Sequence, residues 1–107
     1  MLALAFKINL LKLTNRSADV RYKLPEHIQY LSDGELREDG YDYAKDGQLL
    51  LFMVGEDTFE VESFLDQLFD EPFEGNDMSL VTVVGVDRGD GYTVVYPPEF
   101  DGKFVLD

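Results

Sequence analysis

The segment Glu60 to Asp70, EVESFLDQLFD, decides how this chain is read. Val61, Phe64, Leu65, Leu68 and Phe69 recur at i, i+3, i+4, i+7 and i+8, which lays one apolar stripe along a helix over 60–70. Asp57 and Glu60 have the spacing of a capping box, and Pro72 and Gly75 end the helix. A stripe of this kind needs a surface to lie on, and both flanks offer strands. Before the helix, Leu49 to Val54 is a continuous apolar run, as expected of a central strand buried on both faces. Lys45-Asp46-Gly47 joins it to Tyr41 to Ala44, a hairpin signal. After the helix, Leu80 to Val86 and Tyr92 to Tyr96 are rich in β-branched residues and meet through Asp87-Arg88-Gly89-Asp90-Gly91, a second hairpin.

Working outward, Leu2, Leu4, Phe6, Ile8 and Leu10 alternate with Ala3, Ala5, Lys7 and Asn9, the period of a strand. The phase slips at Leu10-Leu11, where a bulge would restore one buried face. Thr14 to Asp19 reads as a loop. Val20, Tyr22 and Leu24 then alternate with Arg21 and Lys23, which predicts an N-terminal hairpin whose outer face carries Lys7, Lys12, Arg21 and Lys23. Pro25 suits the first position of a short helix over 25–31. Residues 33–40 read as polar turns, and Phe104 to Leu106 as a short last strand. The class is α+β: a single antiparallel β-sheet built from hairpins, with one main amphipathic helix (about 60–70) packed on one face. At 107 residues the expectation is a single domain spanning 1–107.

Eight Phe, six Tyr and a hydrophobic content of 45% set the chain apart from disordered acidic tails, despite a net charge of −13. There is no Cys, so no disulfide can staple the fold, which favours a reducing compartment. The apolar N-terminus lacks a basic leader before its apolar run, is interrupted by Lys7 and Lys12, and is too short and charged to span a membrane. The expected location is cytoplasmic.

Charge is unevenly distributed. Residues 1–25 hold five bases against one acid, and residues 26–107 hold four bases against 21 acids. Between Lys45 and Arg88 no base occurs in 42 positions, which contain eleven carboxylates. Surfaces ordinarily mix both signs, because single-sign fields repel themselves and steer partners. Glu62, Asp66 and Asp70 stand at i, i+4 and i+8, a column of like charges that costs a helix about 0.2–0.5 kcal/mol per pair. Asp70 and Glu71 also sit at the negative end of the helix dipole. Folding alone does not favour this arrangement. The candidate partner-binding residues are Glu56, Asp57, Glu60, Glu62, Asp66, Asp70, Glu71, Phe73, Glu74 and Asp77, with Phe73 expected to be an accessible aromatic anchor within a charged rim. Phe59, Phe100, Tyr41 and Tyr43 also lie in or beside acidic segments, most of them as core.

Signals for other chemistry are weak. His27 is the only histidine, no Ser lies in a G-x-S-x-G elbow, and no Gly-rich phosphate loop occurs. The chain is therefore read as a non-enzyme, with no catalytic residue and no cofactor. The loop 70–77 offers several oxygens but not the EF-hand pattern, so no metal is assigned. The overall field repels phosphate, which argues against direct nucleic-acid contact. What remains is an acidic protein that neutralises a basic partner. In size, composition and fold class the chain resembles bacterial immunity proteins, which plug nuclease-type toxins; the likeness carries over no individual residue. The alternatives are a phage-type nucleic-acid mimic and a self-associating regulatory or structural module, for which a homodimer formed between basic beginning and acidic remainder would be expected.

Overall fold

A computed structural model describes residues 1–107. Five strands and two helices follow in the order β1 (Leu2–Ile8), α1 (Val20–Leu31), β2 (Arg37–Tyr43), β3 (Leu49–Gly55), α2 (Val61–Asp70), β4 (Thr82–Asp87) and β5 (Tyr92–Tyr96). All strands join one sheet in the order β2-β3-β1-β4-β5, and every neighbouring pair is antiparallel. The expected α+β class, with one antiparallel sheet and α2 packed on it, is what the structure shows.

The connectivity explains the placement of the helices. β1 and β2 run parallel with β3 between them, and β3 and β4 run parallel with β1 between them. Each parallel pair is bridged by a helix, giving two split β-α-β units, the ferredoxin-like topology, here extended by β5. That topology hosts many unrelated functions and defines none.

Strand alternation divides the sheet into two faces. Leu2, Leu4, Phe6 and Ile8 of β1, Leu49, Leu51 and Met53 of β3, and Val84 and Val86 of β4 point to one face. There they meet Val20, Leu24 and Ile28 of α1 and Val61, Phe64, Leu65 and Leu68 of α2, which together form a single core. Burying each such side chain fully is worth about 1.5–3 kcal/mol. The other face carries Ala3, Ala5, Lys7, Leu50, Phe52 and Gly85, and the C-terminal segment crosses it. Lys7 Nζ donates to the Val105 carbonyl at 2.7 Å and pairs with Asp46 at 3.1 Å, while the Lys45 N–H donates to the Asp107 carbonyl.

Several sequence expectations are corrected. The N-terminal hairpin does not form: Val20 to Leu24 are the first turns of α1, which runs through Pro25 to Leu31. Val20, Leu24 and Ile28 are spaced four apart, so as a helix they bury one face against the sheet, while Tyr22, which a strand would have set beside Val20 and Leu24, is exposed. Pro25 is thus internal and buried, costing the helix one N–H, and Lys7, Lys12, Arg21 and Lys23 share no face. No bulge forms at Leu10-Leu11; β1 ends at Ile8 and Asn9 caps a single 3₁₀ turn over Leu10–Lys12. β2 begins at Arg37 within the expected turns, because pairing with β3 outweighs the poor strand propensity of its polar residues. β1, not β3, is the central strand, and Phe52 and Val54 of β3 are only half-buried. Phe104 to Leu106 form a strap without strand pairing.

Candidate functional site

Helix α2 lies on the sheet through Val61, Phe64, Leu65 and Leu68, and this fixes which residues face outward. Glu62, Asp66 and Asp70 are all exposed, so the acidic column predicted from spacing is a real surface feature. Aromatic packing anchors both ends of the helix. Phe59 packs on Phe64 with ring centroids 5.4 Å apart, and Phe69 packs on Tyr96 at 4.5 Å. The column therefore stands on a rigid support.

The helix starts at Val61, with Glu60 at the N-cap making no side-chain bond, so the expected capping box is absent. A box over Asp57 and Glu60 would require the helix to begin at residue 58, and Phe59 is instead turned into the core. Asp57 takes up other partners. Its carboxylate pairs with the Met1 ammonium at 3.1 Å, and its carbonyl accepts from Arg88 at 3.1 Å.

Beyond the helix, the 71–77 loop is tied to the N-terminal part of the chain. The Asn76 side chain is 1% exposed; its Oδ1 accepts the Asn15 N–H at 2.6 Å, and its Nδ2 donates to the Asn15 carbonyl at 3.2 Å. Lys23 of α1 pairs with Glu74 at 3.3 Å, and Phe73 packs on His27 of α1 at 5.3 Å. Asp77 caps the 3₁₀ turn Met78–Leu80 by accepting from the N–H and hydroxyl of Ser79. No three acidic or histidine side chains converge as a metal ligand set.

Of the ten residues singled out from the sequence, Asp57, Glu74 and Asp77 are thus engaged within the fold, and Phe73 is half-buried against His27. Glu56, Glu60, Glu62, Asp66, Asp70 and Glu71 are exposed, and their carboxylates bond to no other group in the chain. The stretch is less bare of counter-charge than its sequence implies, because Lys7, Lys23 and the chain's amino group reach into it from elsewhere. The middle, along α2, remains unneutralised. The negative field also reaches the strap-covered face: the Tyr92 hydroxyl is pushed up by burial first, then by the charges of Asp87 and Asp39.

Sequence reading missed one surface. Arg21 lies 4.1 Å above the Tyr22 ring and 4.8 Å above the Tyr41 ring, donates to the Tyr41 hydroxyl, and adjoins Tyr43, which packs edge-on to Tyr41. Tyr41 and Tyr43 are exposed rather than part of the core, and reading Tyr22 and Arg21 as a strand hides their meeting with them.

No helix is long and apolar enough to cross a membrane. Comparison with protein-family models, with curated proteins and with solved structures gives no match.

Proposed function

We propose that this is an acidic protein-binding inhibitor that neutralises a basic partner, of the type of a cytoplasmic bacterial immunity protein acting on a nuclease-type toxin. The observation that carries the reading is the column Glu62, Asp66 and Asp70, exposed on a helix whose other face is fixed in the core and bonded to nothing in the chain. A nuclease holds phosphate in a basic cleft. A rigid row of carboxylates competes for that field and is steered toward it over distance. Glu56 and Glu60 extend the row at one end and Glu71 at the other.

The test is inhibition of a basic nuclease encoded beside this chain, measured with purified proteins at low and at physiological salt. Inhibition is expected, with an association rate that falls as salt rises. Reversing Glu62, Asp66 and Asp70 to Lys should lower that rate by about tenfold or more at low salt. Absence of binding to such a nuclease at low salt, or binding unaffected by the triple reversal, overturns the reading.

A further inference from the structure

We propose that the open edge of β5, with the groove between it and α2, receives an extended basic segment of the partner by strand addition. This rests on the basic-partner reading above and names where an ordered part of that partner would bind.

The two edges of the sheet differ. The β2 edge is blunted. Its Glu38 N–H donates to Gln29 Oε1 at 3.1 Å and its Tyr43 N–H to Asp42 Oδ1 at 2.8 Å, so two amides are already occupied. The strand bulges between Glu38 and Tyr41, around Gly40 at φ +108°, and carries Glu38, Asp39 and Asp42. These are devices by which natural sheets refuse another strand. β5 has none of the side-chain devices. Tyr92-Thr93-Val94-Val95-Tyr96 contains no charge and no proline, and its residues have high strand propensity. It bonds only to β4, and no backbone hydrogen bond joins it to the C-terminal strap. Its single irregularity, a register shift opposite Val84 and Gly85, leaves Tyr92 to Val94 in regular pairing.

A groove of about 680 Å³ runs beside this edge, with Val61, Val86 and Val95 among its lining and Glu62 and Asp90 on its rim. Its one base, Arg88, donates to the Asp57 carbonyl. A strand added to β5 would turn alternate side chains toward the groove. Apolar groups would meet the valines, and cationic heads would reach Glu62 and Asp90. Glu62 also belongs to the acidic column, so one partner could engage the column and the edge together.

The probe is a blocked octapeptide of alternating lysine and valine, with an alternating glutamate and valine peptide as control. Hydrogen exchange of the full chain is followed with each at low salt. The lysine peptide should bind and slow exchange of the β5 amides by about fivefold or more. The same peptide N-methylated at alternate residues, unable to complete a ladder, should lose at least about tenfold in affinity. No binding of the lysine peptide, equal binding of the methylated one, or equal binding of the glutamate peptide overturns the inference. So does a concentration-dependent dimer paired through β5 in the absence of peptide. If the lysine peptide binds and E62K/D66K weakens it, yet protection misses β5, strand addition fails while the basic-partner reading stands.

Discussion

The ring of Phe104 lies directly on Gly85, in the space where any other residue would carry its β-carbon. Gly85 is in β4, beside central β1, and Phe104 belongs to the strap that crosses this face. Tyr92 flanks the same ring at 6.1 Å. A glycine inside a buried strand gives up side-chain packing, and here the space is used by a residue 19 positions later.

Gly85→Ala should therefore cost about 1–3 kcal/mol through overpacking, although alanine suits a strand better than glycine. In a Phe104→Ala background the same change should be nearly neutral, because the clash has gone. Urea denaturation of the two single variants and the double variant reads the coupling directly. Additive losses would show that the strap does not depend on this contact. Cleavage after Lys103 by trypsin should also quicken in either single variant.

Asn76 and Asn15 exchange hydrogen bonds between the acidic loop and the chain before α1, and the geometry uses both functions of the Asn76 amide. Asn76→Ala removes both of these part-buried bonds, a loss of about 1–3 kcal/mol. Asn76→Asp keeps the acceptor but places a carboxylate against the carbonyls of Asn15 and Glu74, so it should restore little. Equilibrium unfolding of both variants checks the order. A variant as stable as the parent would show that the 71–77 loop holds its shape without this pair.

Asp46 and Lys7 bring pH into the fold. The carboxyl of Asp46 is held below its ordinary 3.8, first by the N–H of Gln48 and then by the Lys7 ammonium. A carboxylate whose folded value is depressed contributes stability that is complete above the unfolded value and lost as pH falls through the folded one. Asp46 therefore contributes a loss of stability below about pH 4, and the thermal midpoint of Asp46→Asn should lose less than that of the parent between pH 4 and pH 2. An identical profile in the variant would remove Asp46 as a contributor. The Lys7 bond to the Val105 carbonyl survives protonation of Asp46, so the strap should loosen later than the ion pair.

Legibility in the sequence followed the strength of a single period. The stripe of α2, the apolar run of β3 and the β-branched β4 and β5 each satisfy one pattern and were placed within a few residues. Val20 to Ile28 satisfies two: Val20, Tyr22 and Leu24 alternate, while Val20, Leu24 and Ile28 recur every fourth residue. Pro25 tips a local reading toward a boundary there, yet burial of Val20, Leu24, Pro25 and Ile28 against the sheet outweighs it. The end of β2 was legible through its hairpin turn at Lys45-Asp46-Gly47, but its start at Arg37 was not, since all seven of its residues are exposed and its conformation is imposed by β3. The exposed acids of α2 were legible because they follow from the stripe. The partners of Asp57 and Glu74 were not, because Met1 and Lys23 meet them only through the fold.

If the column on α2 is kept for a partner, removing it should make the protein more stable. Asp66→Lys replaces two repulsive i, i+4 pairs, with Glu62 and Asp70, by two attractive ones, and places a base toward the negative end of the helix dipole. The gain should be about 0.5–1.5 kcal/mol at low salt and should shrink as salt rises, because Asp66 is exposed. The same substitution should slow association with a basic partner. Stability from urea titration and binding from stopped-flow mixing, made on one sample, should therefore move in opposite directions. A loss of stability in Asp66→Lys would mean that the column is not strained. A gain without loss of binding would mean that the strain serves nothing on this face, and the acids flanking β5 would then have to carry recognition.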